Sequence, residues 1–114
     1  MTRKLKLIKL PGFDQDVHAL PRQIALMALE RLVFIRDGRI RGERLDDHPT
    51  TGDLSDCYKL YFDPNPHRKP RYRLVYRYTP DEIEAVALEA VAGGEREALS
   101  VYLQALERLD RRGG

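Results

Sequence analysis

The sequence predicts an α+β fold in which one strand is followed by two helices, three meandering strands and a closing helix. Three observations predict it. Lys4 to Leu10, Asp56 to Phe62 and Arg71 to Tyr78 mix apolar and polar residues in the short-period pattern of half-buried strands. Two other stretches carry apolar residues at near-helical spacing: Ile24, Met27, Leu32 and Ile35, then Leu99, Tyr102, Leu103, Leu106 and Leu109. Turn formers separate these stretches at Pro11-Gly12, Asp37-Gly38, Thr79-Pro80-Asp81 and Ala92-Gly93-Gly94.

In chain order, Lys4 to Leu10 is the first strand, with one wet face lined by lysines. Asp14 is the expected N-cap of a short helix running to Leu20, because its carboxylate can accept from free backbone N–H groups. Pro21 suits the first turn of a second helix, where its missing N–H costs nothing, and Asp37-Gly38 ends that helix. The two helices form a hairpin over one face of a sheet. Arg39 to Asp53 is polar and turn-rich and reads as a loop crossing the sheet edge. The strand Asp56 to Phe62 follows. Asp63 to Pro70 holds three prolines, which remove ladder donors, so it is a hairpin tip. Arg71 to Tyr78 returns, Ile83 to Val91 is a fourth strand, and Glu97 to Asp110 is the last helix.

At 114 residues the chain is expected to be one domain, residues 1–114, with one modest core. Charged residues make up 33%, yet the net charge is only +2, so bulk charge does not announce a nucleic-acid binder. The distribution says more. Between Tyr58 and Tyr78 stand Lys59, Arg68, Lys69, Arg71, Arg73 and Arg77 against the one carboxylate Asp63, while acidic residues collect from Asp81 to Glu97. Such a stripe is a footprint for an anion. Cys57 is the only cysteine, which excludes an internal disulfide and suits a reducing cytoplasm. No apolar run approaches a membrane span, and Met1 to Leu5 lacks the apolar stretch of a secretory signal, so a cytoplasmic location is expected. His18, His48 and His67 are scattered, so no clustered metal ligands stand out. Cys57 reads as a small space-filler.

Strand parity concentrates the chemistry. Side chains alternate across a strand, so Tyr58, Leu60 and Phe62 share a face with Tyr72, Leu74 and Tyr76, which the helices are expected to cover. Lys59, Tyr61, Arg71, Arg73 and Arg77 are left together on the exposed face. Cations interleaved with an aromatic ring can hold phosphates and stack a base; the plain alternative is a solvated face with charged edge protection.

Three ordered segments, Asp56-Cys57-Tyr58-Lys59, Tyr72-Arg73-Leu74-Val75-Tyr76, and Glu95-Arg96-Glu97 with Val101-Tyr102, resemble the RelE branch of the RelE/ParE toxin superfamily. The resemblance runs nearly continuously from Asp56 to Leu109, with insertions in the hairpin tip and between Glu82 and Gly94. It implies a small twisted antiparallel sheet of about four strands, with the helix hairpin on one face and the last helix at its end. It also implies a ribosome-dependent, metal-independent endoribonuclease that cuts messenger RNA in the ribosomal A site. Such a protein is the toxin of a bacterial type II pair, needs no cofactor, and oligomerises through a cognate antitoxin.

Carried over residue by residue, the resemblance makes Lys59, Arg73, Arg96 and Tyr102 catalytic. Lys59 and Arg73 stabilise the phosphorane formed when a ribose 2′-hydroxyl attacks its neighbouring phosphate. Arg96 steadies the leaving oxygen, and Tyr102 orients the nucleotide. RelE carries a second lysine two residues beyond the first; that position here is Tyr61, which leaves Lys59 or Tyr61 as the candidate proton acceptor. Arg68, Lys69, Arg71 and Arg77 are candidate RNA contacts. Two other readings stand beside this one. One is a gyrase-inhibiting toxin of the ParE type, whose chains generally lack the catalytic set. The other is a non-catalytic homologue that only binds its antitoxin.

Overall fold

The computed structural model of the protein describes residues 5–45, 56–91, 105 and 107–109. Its strands are β1 (Lys6–Lys9), β2 (Glu43–Arg44), β3 (Cys57–Phe62), β4 (Tyr72–Tyr78) and β5 (Glu82–Ala90), and its helices are α1 (Phe13–His18) and α2 (Arg22–Arg36). The strands form one sheet in the order β1-β5-β4-β3-β2. The β2–β3, β3–β4 and β4–β5 pairs are antiparallel, whereas β1 lies parallel to β5, Lys6 beside Glu82 through Lys9 beside Ala85. The sheet therefore gains one edge strand over the expected four, and one of its pairings is parallel. That parallel pairing follows from topology: the last strand of the meander runs in the same direction as β1 and offers it the free edge.

The helix boundaries shift for local reasons. Gly12, at φ 95°, is the N-cap of α1, and Asp14 is not. Asp14 sits in the first turn, where a carboxylate favours the helix dipole, and pairs with Lys9 Nζ at 3.1 Å. The helix ends at His18, short of Leu20. Pro21 is the N-cap of α2, and its carbonyl accepts from the N–H groups of Ile24 and Ala25 at 2.9 and 3.0 Å. Gly38, at φ 75°, ends α2 in the left-handed conformation that glycine adopts without strain.

The helices cover the aromatic face of the sheet as the alternation predicts. Ile24, Ala28, Leu32 and Ile35 of α2 and Phe13 of α1 are buried against Phe62, Leu74, Tyr76, Ile83, Ala85 and Leu88. Tyr58, Leu60 and Tyr72 pack at the margin of the same core, and so does Met27. Each fully buried aliphatic or Phe side chain contributes on the order of 1.5–3 kcal/mol by leaving water. On the opposite face a smaller core joins Cys57, Val75, Val86 and Ala87 to Leu45 and to Ala105 of the C-terminal segment. Ala105, Glu107 and Arg108 are helical; the rest of the expected last helix lies outside the described residues.

Two features hold the edges. The stretch expected to be a plain loop contains β2, whose Glu43 and Arg44 stand opposite Lys59 and Tyr58. Gly42 makes that approach possible, since a Cβ there would collide with the Lys59 carbonyl oxygen. Its N–H donates to the Tyr76 hydroxyl at 2.7 Å. Burial pushes the Tyr76 hydroxyl pKa well above its ordinary value, so it stays a neutral hydroxyl and can accept this bond.

At the other edge, β1 pairs with β5 only as far as Ala85, and the backbone of β5 then continues past it. A β-bulge interrupts the β4–β5 register between Val75 and Tyr76, placing Val86 as an extra residue on β5. Arg108 Nη1 donates to the Val86 carbonyl at 2.8 Å, and the Leu88 N–H donates to Asp16 Oδ2 at 3.1 Å. Arg108 and Asp16 are themselves paired through two contacts of 2.6 and 3.0 Å. One salt bridge thus supplies the donor and the acceptor that a neighbouring strand would otherwise give.

Candidate functional site on the sheet

Four side chains from three strands line up across the face of the sheet opposite α1 and α2. Tyr61 on β3 stands directly opposite Arg73 on β4, and Arg73 directly opposite Glu89 on β5. Lys59, two residues before Tyr61, shares its face. Arg73 Nη1 donates to the Tyr61 hydroxyl at 3.4 Å, and Arg73 Nη2 donates to Glu89 Oε2 at 3.4 Å. Two cations approach the Tyr61 ring, Lys59 Nζ at 5.7 Å and Arg73 Cζ at 5.8 Å from its centroid. A ring so placed attracts both charges through its negative face.

Burial orders these groups from the surface inwards. Tyr61 is 40% exposed, whereas Arg73 is 1% exposed. The Glu89 side chain, at 22%, is the more accessible member of its pair with Arg73. A group approaching from solvent therefore meets Tyr61 and Glu89 before the guanidinium. This corrects the expectation that Arg73 stands on an open face.

Two further cations of that face differ from expectation. Arg71 is clamped to Asp63, through Nε at 2.8 Å and Nη2 at 3.3 Å, and its N–H adds a third contact at 3.1 Å. The Arg71 guanidinium holds the Asp63 carboxyl down at about 2, helped by backbone N–H bonds from Asn65 and Arg71 and opposed by burial. Asp63 and Asn65 accept from the N–H groups of Asn65 and His67, which folds the hairpin tip into successive Asx turns. Arg68 and Lys69 are exposed on that tip. Arg77 is matched by two carboxylates: Glu84, with contacts of 3.1, 3.2 and 3.3 Å, and Asp56 at 3.6 Å. Lys59, Tyr61 and Arg73 are thus brought together, while Arg71 and Arg77 are held by carboxylates at either end of the face. Arg96 and Tyr102 lie outside the described residues.

Glu84 and Glu89 were not legible as partners. They are five residues apart, so strict alternation puts them on opposite faces, yet they pair with Arg77 and Arg73, which are four apart on one face. The extra residue at the bulge reverses the parity of β5 between them. The crowded carboxylates after Asp81 were the available signal, and only the bulge gives them an address. Among the described residues no group of three His, Cys, Asp or Glu side chains comes together to hold a metal, and no helix is long and apolar enough to cross a membrane.

No protein-family model and no curated protein sequence matches this chain. Solved structures do match it in fold. A double mutant of the E. coli toxin RelE in the free state is similar at 22% identity, over 93% of this chain and 98% of that one, with a TM-score of 0.64. The RelBE2 toxin–antitoxin complex from Mycobacterium tuberculosis is similar at 18% identity, over 82% of this chain and 98% of that one, with a TM-score of 0.59. The isolated E. coli RelE toxin matches at 21% identity, over 92% of this chain and 98% of that one, with a TM-score of 0.57. The resemblance read from three short segments thus extends to the fold: this chain folds as the RelE toxins do.

Proposed function

We propose that this protein is the toxin of a toxin–antitoxin pair and cuts messenger RNA in the ribosomal A site by attack of a ribose 2′-hydroxyl on the adjacent phosphate. The observation that carries the reading is the cross-strand row. In it Lys59 and the buried Arg73, two residues of the resemblance, share one sheet face with an accessible tyrosine ring. Lys59 and Arg73 answer the charge that develops on the phosphorane. The Tyr61 ring offers a platform for a base. Arg96 acts at the leaving oxygen and Tyr102 orients the nucleotide, as the resemblance implies. A shallow site of this kind gains most from a surface that holds the message in place, which is the part the ribosome plays. The fold shared with the RelBE2 complex supports an antitoxin as the protein partner, with oligomers formed through it.

The test is cleavage of a defined messenger positioned in the A site, read by primer extension, with the protein beside its Arg96→Ala variant and with or without ribosomes. The expected result is ribosome-dependent, codon-phased cuts that the variant loses. Equal cutting by the variant would remove Arg96 from the mechanism, and no cutting by the folded wild-type protein would sink the nuclease reading. A second reading has its own support. Arg71 and Arg77 are already matched by carboxylates, as they would be in a homologue that only binds its antitoxin. Silence in both the cleavage assay and a gyrase-inhibition assay would favour that homologue over the ParE-type alternative.

A further inference from the structure

We infer that Glu89 is the general base of the site, the group that takes the proton from the attacking ribose 2′-hydroxyl. The inference rests on the nuclease reading above and assigns a role that reading leaves open.

The reaction needs a proton acceptor beside the group that stabilises the phosphorane. An ordinary lysine or tyrosine holds its proton at neutral pH and must lose it before it can accept another; an ordinary glutamate is already ionised. Glu89 is the carboxylate in the row, set across from Arg73 by the strand register and joined to it at 3.4 Å. It is more exposed than Arg73, so a nucleotide that approaches the guanidinium meets the carboxylate on the way. The pairing sets two tasks side by side. A 2′-oxygen at Glu89 and a non-bridging phosphate oxygen at Arg73 would lie within one nucleotide's reach, as nucleophile activation and charge stabilisation require.

The step balances without a co-reactant. A Glu89 carboxylate oxygen takes the 2′-hydroxyl proton, the 2′-oxygen bonds to phosphorus, and the bond from phosphorus to the 5′-oxygen breaks. The leaving oxygen takes a proton from the acid side of the site. The products are a 2′,3′-cyclic phosphate and a 5′-hydroxyl, and Glu89 returns its proton to water.

Among the described residues the charged and titratable groups near Glu89 are Arg73 on β4, Tyr61 and Lys59 on β3, and the Asp16–Arg108 pair bordering β5. Protonation of a general base stops it accepting, so the cleavage rate should show an acid limb that Glu89→Gln flattens.

Glu89→Gln is the test, because the amide oxygen can still accept from Arg73 and keep it in place. Single-turnover cleavage on ribosomes would be followed against pH, with ribosome binding measured alongside. The substrate would be offered with its natural linkage and with a 5′-bridging phosphorothiolate, whose sulfur leaves without needing a proton. The expected result is a rate lower by about 10²–10⁴, unchanged ribosome binding, a flattened acid limb and no rescue by the phosphorothiolate. A rate near that of the wild type, an acid limb identical to the wild type's, or rescue by the sulfur leaving group would overturn the assignment. If the wild-type protein itself does not cut, the nuclease reading falls and the role of Glu89 falls with it.

Discussion

Two arginines on one strand face show how the same pairing serves different ends. Arg77 and Arg73 each reach across from β4 to a glutamate of β5. At Arg77 the match is close and over-determined: Glu84 gives three contacts and Asp56 a second carboxylate. At Arg73 the contacts among the described residues are longer. One contact of 3.4 Å joins it to Glu89, the Tyr61 hydroxyl is its neighbour on the other side, and Lys59 lies just beyond. One end of the face has two acids for one base. Among the described residues the other end sets two cations, Lys59 and Arg73, beside Glu89. Exposure alone does not set the two ends apart in the way an open site would, for Arg73 is the more buried of the two.

The comparison breaks most visibly by truncating both arginines. Arg73→Ala should lower ribosome-dependent cleavage by about 10²–10³, the cost of losing one well-placed charge donor. Arg77→Ala should leave cleavage within about twofold while lowering stability to urea by about 1–3 kcal/mol, as lost hydrogen bonds to charged groups do. Equal loss of activity in the two variants would erase the distinction. A smaller effect comes from the third arginine pair, at the hairpin tip. Because Arg71 holds the Asp63 carboxyl down at about 2, Asp63 contributes stability that is fully present above its ordinary pKa and is lost as pH falls through about 2. Asp63→Asn should therefore start less stable at neutral pH and lose less between about pH 4 and pH 2. Parallel acid-unfolding curves for the two proteins would show that the clamp contributes nothing.

Much of this was legible because period-2 alternation is a strong signal where one face is buried. Tyr58, Leu60, Phe62, Tyr72 and Leu74 lie as the alternation directs, and the same alternation puts Lys59, Tyr61 and Arg73 on one face. Three kinds of fact were not legible. β2 is two polar residues long and exists because Gly42 lets the chain approach Lys59. The parallel pairing of β1 depends on which edge the meander leaves free. Glu84 and Glu89 depend on a one-residue bulge that no residue type announces. The cations could be placed from sequence, but their counter-charges could not, and the counter-charges decide which cations are available.

The Asp16–Arg108 bridge joins positions 92 residues apart, and β1 closes onto a strand more than seventy residues later in the chain. Closures of that span carry a large loop entropy and form late. As the chain is synthesised, the elements made first can be fixed only after β5 and Arg108 have emerged. A growing polypeptide would hold an unsealed sheet, with the β5 edge lacking its side-chain cap, until Arg108 arrives. Completion of the fold is thereby tied to the arrival of Arg108, and slow elongation just before Arg108 would prolong the interval in which that edge is open to other chains.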